Sequence, residues 1–326
     1  MRNTVKTISF YGVFGELCED FLKYKQSLGF RYHDEAKVMR RFCHYCSENN
    51  VKEASLTKEL VLGWTAKRKG ESISTRQHRI SCIREFARFL NTLGYNTYVF
   101  PPQKNTCNKS FVPYVFTHSE ISTIIASCDC VKPRAVSPYM HKILPVLIRL
   151  LYGCGLRITE ALKLKNSNVD LINGILTLHD TKFGKDRLIP MSASLQAIMS
   201  DYSREMHEIP VPEGFFFMAR DGSMISPMTI YQRFRTILFE SGIPHGGKCK
   251  GPRLHDMRHT FAVHSLNKWI YDGIDIYCTL PVLSTYMGHT SVSATGKYLR
   301  LTAEVFPYIT AEVEKTCAYV IPEVNS

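Results

Sequence analysis

The stretch that decides the reading of this chain is Leu254-His255-Asp256-Met257-Arg258-His259-Thr260-Phe261. It sits in a pattern that predicts a helix over about residues 254–268. On such a helix His255 and Arg258, three positions apart, share a face and can point at one group of atoms. Downstream, a helical pattern over about 279–287 ends at Gly288-His289, and Tyr298 follows nine residues later. Upstream, Met140, Ile143, Leu144, Leu147, Leu150 and Leu151 form an apolar helical stripe that stops at Gly153 and Gly155. The block Gly155-Leu156-Arg157-Ile158-Thr159-Glu160-Ala161-Leu162 comes next. Between the two blocks, Ile175-Leu176-Thr177-Leu178 and Arg187-Leu188-Ile189-Pro190 alternate as the strands of a hairpin, with Lys182 and Lys185 at its tip.

These residue types suit one chemistry. A phosphodiester under attack gathers negative charge on its non-bridging oxygens, and preorganised cationic donors lower that barrier. Arg157 and Arg258 are donors of this kind. Tyr298 offers a hydroxyl whose ordinary pKa of about 10 makes the phenolate cost roughly 4 kcal/mol at neutral pH, unless cations or a base assist. Each residue also has a plain structural reading, since the chain holds 17 tyrosines and 12 histidines. Arg157 can cap carbonyls, His255 can start a helix and Lys182 can solvate a turn. It is the joint order of the blocks that favours a site. His259 and His264 are read as structural, and Tyr286 as a weaker nucleophile than Tyr298 because it precedes Gly288-His289.

The four blocks, spread over about 145 residues, resemble the tyrosine recombinases, or phage-type integrases. The resemblance implies that Arg157, Arg258 and His289 hold a scissile phosphate in DNA while Tyr298 attacks it. A 3′-phosphotyrosine and a free 5′-hydroxyl would result, with His255 assisting proton transfer and Lys182 (or its neighbour Lys185) protonating the leaving oxygen. Glu160 takes the family's supporting acidic position. The covalent link stores the bond energy, so the resemblance implies no cofactor and no metal. The gap between Arg258 and His289, which contains Tyr271 to Tyr277, resembles a subgroup encoded by mobile elements.

The remainder of the chain fits that frame. A length of 326 residues suits two domains. Four helical patterns, about 13–28, 34–48, 57–69 and 74–93, fill the first hundred residues. A polar, proline-started linker (103–112) separates this expected DNA core-binding domain (1–102) from a catalytic domain (113–326). Ten extended linker residues reach at most roughly 33–36 Å, enough for the domains to approach one ligand from different sides. The expected fold is therefore mainly α with a small antiparallel β hairpin or sheet. The capping-box pattern Thr117-His118-Ser119-Glu120 opens the second part, and helical patterns recur over about 192–207, 227–241 and 302–316.

Basic residues outnumber acidic ones 41 to 29, and 19 to 10 within residues 1–110. Such an excess fits either a polyanionic partner or a merely soluble surface. Lys67, Arg68, Lys69, Arg76, Arg79, Arg84, Arg88, Lys104 and Lys109 are the candidate phosphate contacts. The eleven scattered cysteines fit reduced thiols in a cytoplasmic, nucleoid-associated protein, and Cys43-His44-Tyr45-Cys46 lacks a second ligand pair at zinc-finger spacing. No apolar run is long enough for a bilayer.

The expected partner is double-stranded DNA carrying specific recombination sites. The resemblance adds a homo-tetramer held by exchange of the C-terminal helix, whose stripe is Val305, Ile309 and Val313, and accessory proteins are possible. A type IB topoisomerase-like relaxing enzyme and a non-cutting DNA-binding regulator are the alternatives.

Overall fold

The computed structural model describes residues 9–102, 112–179, 186–209, 211–247, 251–289 and 291–301. The chain divides into two compact units, Met1–Phe111 and Val112–Ser326. Among the described residues no helix is long and apolar enough to cross a membrane.

The first unit contains α1 (Gly15–Ser27), α2 (His33–Glu48), α3 (Lys58–Thr65) and α4 (Ile73–Thr92). Thr57 and Ser72 cap α3 and α4 by accepting from the backbone N–H groups of Leu60 and Thr75. Apolar residues at helical spacing converge on an aromatic core of Phe14, Phe21, Phe42, Trp64 and Phe86. Cys43 and Cys46 face this core, whereas His44 lies outside and pairs with Glu48 at 3.1 Å.

The basic residues of this unit divide by environment. Lys67, Arg68 and Lys69 are exposed beyond the end of α3, which stops at Thr65 rather than running to 69. The Arg68 guanidinium lies over the Trp64 ring at 4.6 Å. Arg88 is exposed and pairs with Glu85, Arg84 is half-buried, and Arg76 Nε donates to the Thr65 carbonyl. Arg79 differs from the expectation of a phosphate contact. Only 4% exposed, it donates to the carbonyls of Trp64 and Ala66 and to both carboxylate oxygens of Glu71. It is a staple between α3 and α4, with its donors turned inward. Lys104 and Lys109 lie outside the described residues.

The second unit places α5 (His118–Asp129), α6 (Met140–Gly153), α7 (Ile158–Lys163), α8 (Ala193–Met206), α9 (Pro227–Glu240), α10 (Asp256–Tyr271), α11 (Ile276–Met287) and α12 (Val292–Gly296) with one antiparallel sheet. That sheet is β1 (Val169–Asp170), β2 (Ile175–Leu178) and β3 (Arg187–Pro190) in sequential order. The Thr117–Glu120 capping box forms at the start of α5. Helix α6 is buried nearly all round and forms the axis of the main core. A leucine as buried as Leu147 contributes about 1.5–3 kcal/mol by leaving water.

Strand register carries a functional consequence. Leu176 pairs with Ile189 and Leu178 with Arg187. Since side chains alternate between faces, Arg187 shares the inward face with Ile189. An arginine there requires partners, and it has them in the site described below.

Arg79→Ala leaves the Glu71 carboxylate without its main partner. The expected loss is about 1–3 kcal/mol in urea unfolding of the first unit's core, while Arg88→Ala should leave the midpoint unchanged.

Candidate active site

Helix α10 begins where the decisive motif predicts. His255 is its N-cap residue, and the Arg258 N–H donates to the His255 carbonyl at 3.1 Å. Asp256, 1% exposed, accepts from the Arg253 backbone and guanidinium. Arg258 itself is only 2% exposed. A buried guanidinium must be surrounded by acceptors, and three are present. Arg258 donates to the Gly155 carbonyl at 2.6 Å, to the Met287 carbonyl, and to Nε2 of His289 at 3.2 Å. One side chain thus binds the turn after α6, the end of α11 and the following histidine. Burial, then the nearby Arg157, lowers its pKa to about 10, so it stays charged at neutral pH.

Two glycines make this junction possible. Gly155 has φ +58°, and a Cβ there would stand 2.3 Å from Phe261 Cδ1. Gly288 caps α11 in the left-handed conformation, with Arg187 Nη1 2.8 Å from where a Cβ would be.

Arg157 caps α7. Its backbone N–H and guanidinium both donate to Glu160, at 2.9 and 2.6 Å. Arg187 donates to both oxygens of the same carboxylate, at 3.2 and 3.0 Å, and its Nε donates to the Tyr286 carbonyl at 3.1 Å. Despite the cost of burial, these bonds hold the Glu160 carboxyl below its ordinary pKa. Glu160 therefore aims Arg157 by sharing its charge with Arg187. The sequence reading missed Arg187; the available signal was a charge at an inward strand position.

His289 stands between Arg258 and α12. Its Nε2 accepts from Arg258, which leaves the proton on Nδ1 to donate to the buried Thr295 Oγ1 at 2.8 Å. Burial and the two arginines push its pKa down to about 4.

Tyr298, 6% exposed, reaches this cluster from its own chain. Its ring stacks on His289 with centroids 6.1 Å apart, and its hydroxyl lies 2.9 Å from Nδ1 of His259. Burial raises the phenol pKa, while the charges of Arg258 and Arg157 pull it back down. Both positive charges thus favour the phenolate. Tyr286 is engaged elsewhere, donating to the Pro190 carbonyl and stacking on Phe261.

The structure therefore brings together Arg157, Glu160, His255, Arg258, His289 and Tyr298, and adds Arg187 and His259. The expected structural role of His259 gives way to direct contact with the tyrosine hydroxyl. His264 lies apart, stacked on His118 at 3.9 Å and bonded to Tyr152. Lys182, Lys185 and the helix expected over 302–316 lie outside the described residues. Among the described residues no cluster of His, Cys, Asp or Glu could hold a metal ion.

Two outcomes are expected. Gly155→Ala forces a positive φ on a residue with a Cβ and collides with Phe261, so it should cost about 1–3 kcal/mol in urea unfolding. His264 and His289 are pushed to about 4 in the folded protein, below the ordinary histidine value of about 6.5. The unfolded chain then binds protons first, so stability is complete above pH ~6.5 and declines toward pH ~4. Thermal melts across that window should show the decline, and His264→Gln should shrink it.

The Phage integrase family model matches residues 114–304. An integrase/recombinase of Sinorhizobium fredii, y4rE, is 30% identical over 87% of this chain and 91% of its own. The tyrosine recombinase XerA of Pyrococcus furiosus is 26% identical over 89% of this chain and 91% of its own. In fold, the chain is similar to the Tn1549 transposon integrase solved in complex with circular intermediate DNA. The TM-score is 0.63 at 18% identity, covering 92% of this chain and 99% of that one. By the extent of the family match and the likeness to y4rE, the chain belongs to the phage integrase family, the tyrosine recombinases that cut and rejoin DNA strands.

Proposed function

We propose that this protein is a site-specific recombinase that cuts duplex DNA through Tyr298 and rejoins it to a new partner strand. The observation that carries the reading is that the buried Tyr298 ring stacks on His289, whose Nε2 accepts from the Arg258 guanidinium, with the charges of Arg258 and Arg157 acting on its hydroxyl. A phosphate drawn in by these cations would stand beside the oxygen that attacks it, an arrangement with a high effective concentration.

In this mechanism Tyr298 Oη bonds to phosphorus while the bond to the 5′-oxygen breaks. Arg157 and Arg258 stabilise the charge gathering on the non-bridging oxygens. Glu160 and Arg187 hold Arg157 at its angle. His289 joins once the anion arrives, because a phosphate offsets the two arginines that add to burial in keeping its ring neutral. Lys182, by family resemblance, supplies the proton to the leaving oxygen. The exposed Lys67-Arg68-Lys69 stretch with Arg76, Arg84 and Arg88 would contribute phosphate contacts from the first unit, a role Arg79 does not share.

The biological reaction on this reading is movement of a mobile element by integration, excision or transposition. Four protomers would act on two sites through a Holliday junction, with residues 302–316 docking on a neighbour. The relatives named integrase and tyrosine recombinase support this assignment.

Nicked duplexes tiled across the DNA that flanks the gene provide the test. A nick near the cleavage point lets the short 5′ product diffuse away and traps the covalent form. Wild-type protein should remain attached to some of these duplexes on denaturing electrophoresis, chelator notwithstanding. Tyr298→Phe should abolish attachment, and Arg258→Ala should reduce its rate at least 100-fold, about 2.7 kcal/mol or more of transition-state stabilisation. Attachment that survives in Tyr298→Phe, or wild-type protein that attaches to none of the duplexes, would overturn the assignment.

A further inference from the structure

Helix α12 spans five residues, and the one it buries is Thr295, with 0% exposure. A buried helix position suits an apolar side chain, and a hydroxyl there costs free energy unless it finds a partner. Thr295 Oγ1 has one in Nδ1 of His289, 2.8 Å away. The other ring nitrogen, Nε2, lies 3.2 Å from Arg258 Nη2. A guanidinium can only donate, so Nε2 accepts, and the neutral ring carries its proton on Nδ1, toward Thr295. A chain of hydrogen bonds thus runs from the buried guanidinium through the imidazole to Thr295, three residues before Tyr298. The same short stretch also covers the face of the imidazole, because the Tyr298 ring stacks on it at an interplanar angle of 24°.

We propose that Thr295 is the positioning residue of His289, its hydroxyl holding Nδ1 so that Nε2 faces the phosphate and the ring stays stacked on Tyr298. The inference rests on the reading of Tyr298 as the attacking group.

In the resting protein the lone pair of Nε2 is occupied by Arg258. A phosphodiester oxygen only accepts, so beside it the same nitrogen has to donate. The ring is then either an imidazolium, with protons on both nitrogens, or the neutral tautomer with its proton on Nε2. A hydroxyl serves all three states. It accepts from Nδ1–H in the resting and cationic rings, and it rotates to donate to the bare Nδ1 of the other tautomer. His289 therefore changes from acceptor to donor without turning, and Tyr298 keeps its stacking partner throughout. Valine has nearly the shape of threonine but can neither accept nor donate, whereas serine does both. Thr295→Val leaves one imidazole nitrogen buried without a partner in every state.

The test is single-turnover formation of covalent complex on a nicked duplex that wild-type protein cleaves. Thr295→Val should bind DNA as wild type and cleave roughly 10–100-fold more slowly, while Thr295→Ser should stay within about threefold of wild type. His289→Ala is followed over days, because loss of one phosphate donor costs on the order of 10²–10³ in rate. In that background Thr295→Val should slow cleavage by no more than about twofold, since a residue that acts through His289 then has nothing to position. Cleavage by Thr295→Val at the wild-type rate overturns the proposal, and so does Thr295→Ser as slow as Thr295→Val. A loss of equal size with and without His289 also overturns it, because that marks Thr295 as a packing residue of α12. Should Thr295→Val melt early, Thr295→Ala takes its place beside Thr295→Ser. Both lack the methyl group and only Thr295→Ser keeps the hydroxyl, so a slower Thr295→Ala supports the proposal and equal rates overturn it. Failure of wild-type protein to attach to any duplex, or attachment by Tyr298→Phe, overturns the reading of Tyr298 itself, and those controls show it before any Thr295 variant is compared.

Discussion

The buried guanidinium of Arg258 is the constraint on which the second unit's candidate site depends. A charge with 2% exposure is tolerable only if acceptors replace water around it. Those acceptors are the carbonyls of Gly155 and Met287 and the ring of His289, drawn from two separate stretches of chain. Meeting the electrostatic demand of one side chain therefore brings together the ends of α6 and α11 with the start of α10. The same charge then acts on Tyr298 and lowers the cost of its ionisation. Structural and chemical roles coincide because both follow from an immobile cation in a poorly solvated place.

A second arginine network performs the complementary task. Arg187, from the inward face of β3, and Arg157, from the start of α7, share the Glu160 carboxylate. The arrangement leaves Arg157 oriented without being neutralised alone. Because Arg187 also donates to the Tyr286 carbonyl, β3 is tied to α11, one residue before the Met287 carbonyl that Arg258 holds. The two arginines of the candidate site are thus braced from the sheet on one side and from α11 on the other. Such bracing is the structural form of preorganisation.

Much of the architecture was legible because local physics determines it. The apolar stripe of α6, the Thr117–Glu120 capping box and the alternation of β2 and β3 all appear where pattern places them. Helix ends were read less well. The pattern carried α3 to residue 69, but it ends at Thr65, so Lys67-Arg68-Lys69 belong to a loop. Helix α10 continues to Tyr271, past the expected 268, since nothing local breaks it before Asp272-Gly273. Arg79 shows a deeper difficulty. On a helical wheel it resembles its basic neighbours, and only the approach of Glu71 and the carbonyls at the end of α3 turns it inward.

By itself the sequence determined the family and the helical character of both units, and it picked out Arg157, Glu160, His255, Arg258, His289 and Tyr298 as candidates, because spacing along a helix and order along a chain are one-dimensional properties. Tertiary structure alone decided which of these touch. It gave Arg187 a place beside Glu160, put Nδ1 of His259 against the Tyr298 hydroxyl and withdrew Arg79 into a core. The reason is physical: a polar side chain's role depends on which acceptors and donors replace its water, and those arrive from segments that are distant along the chain.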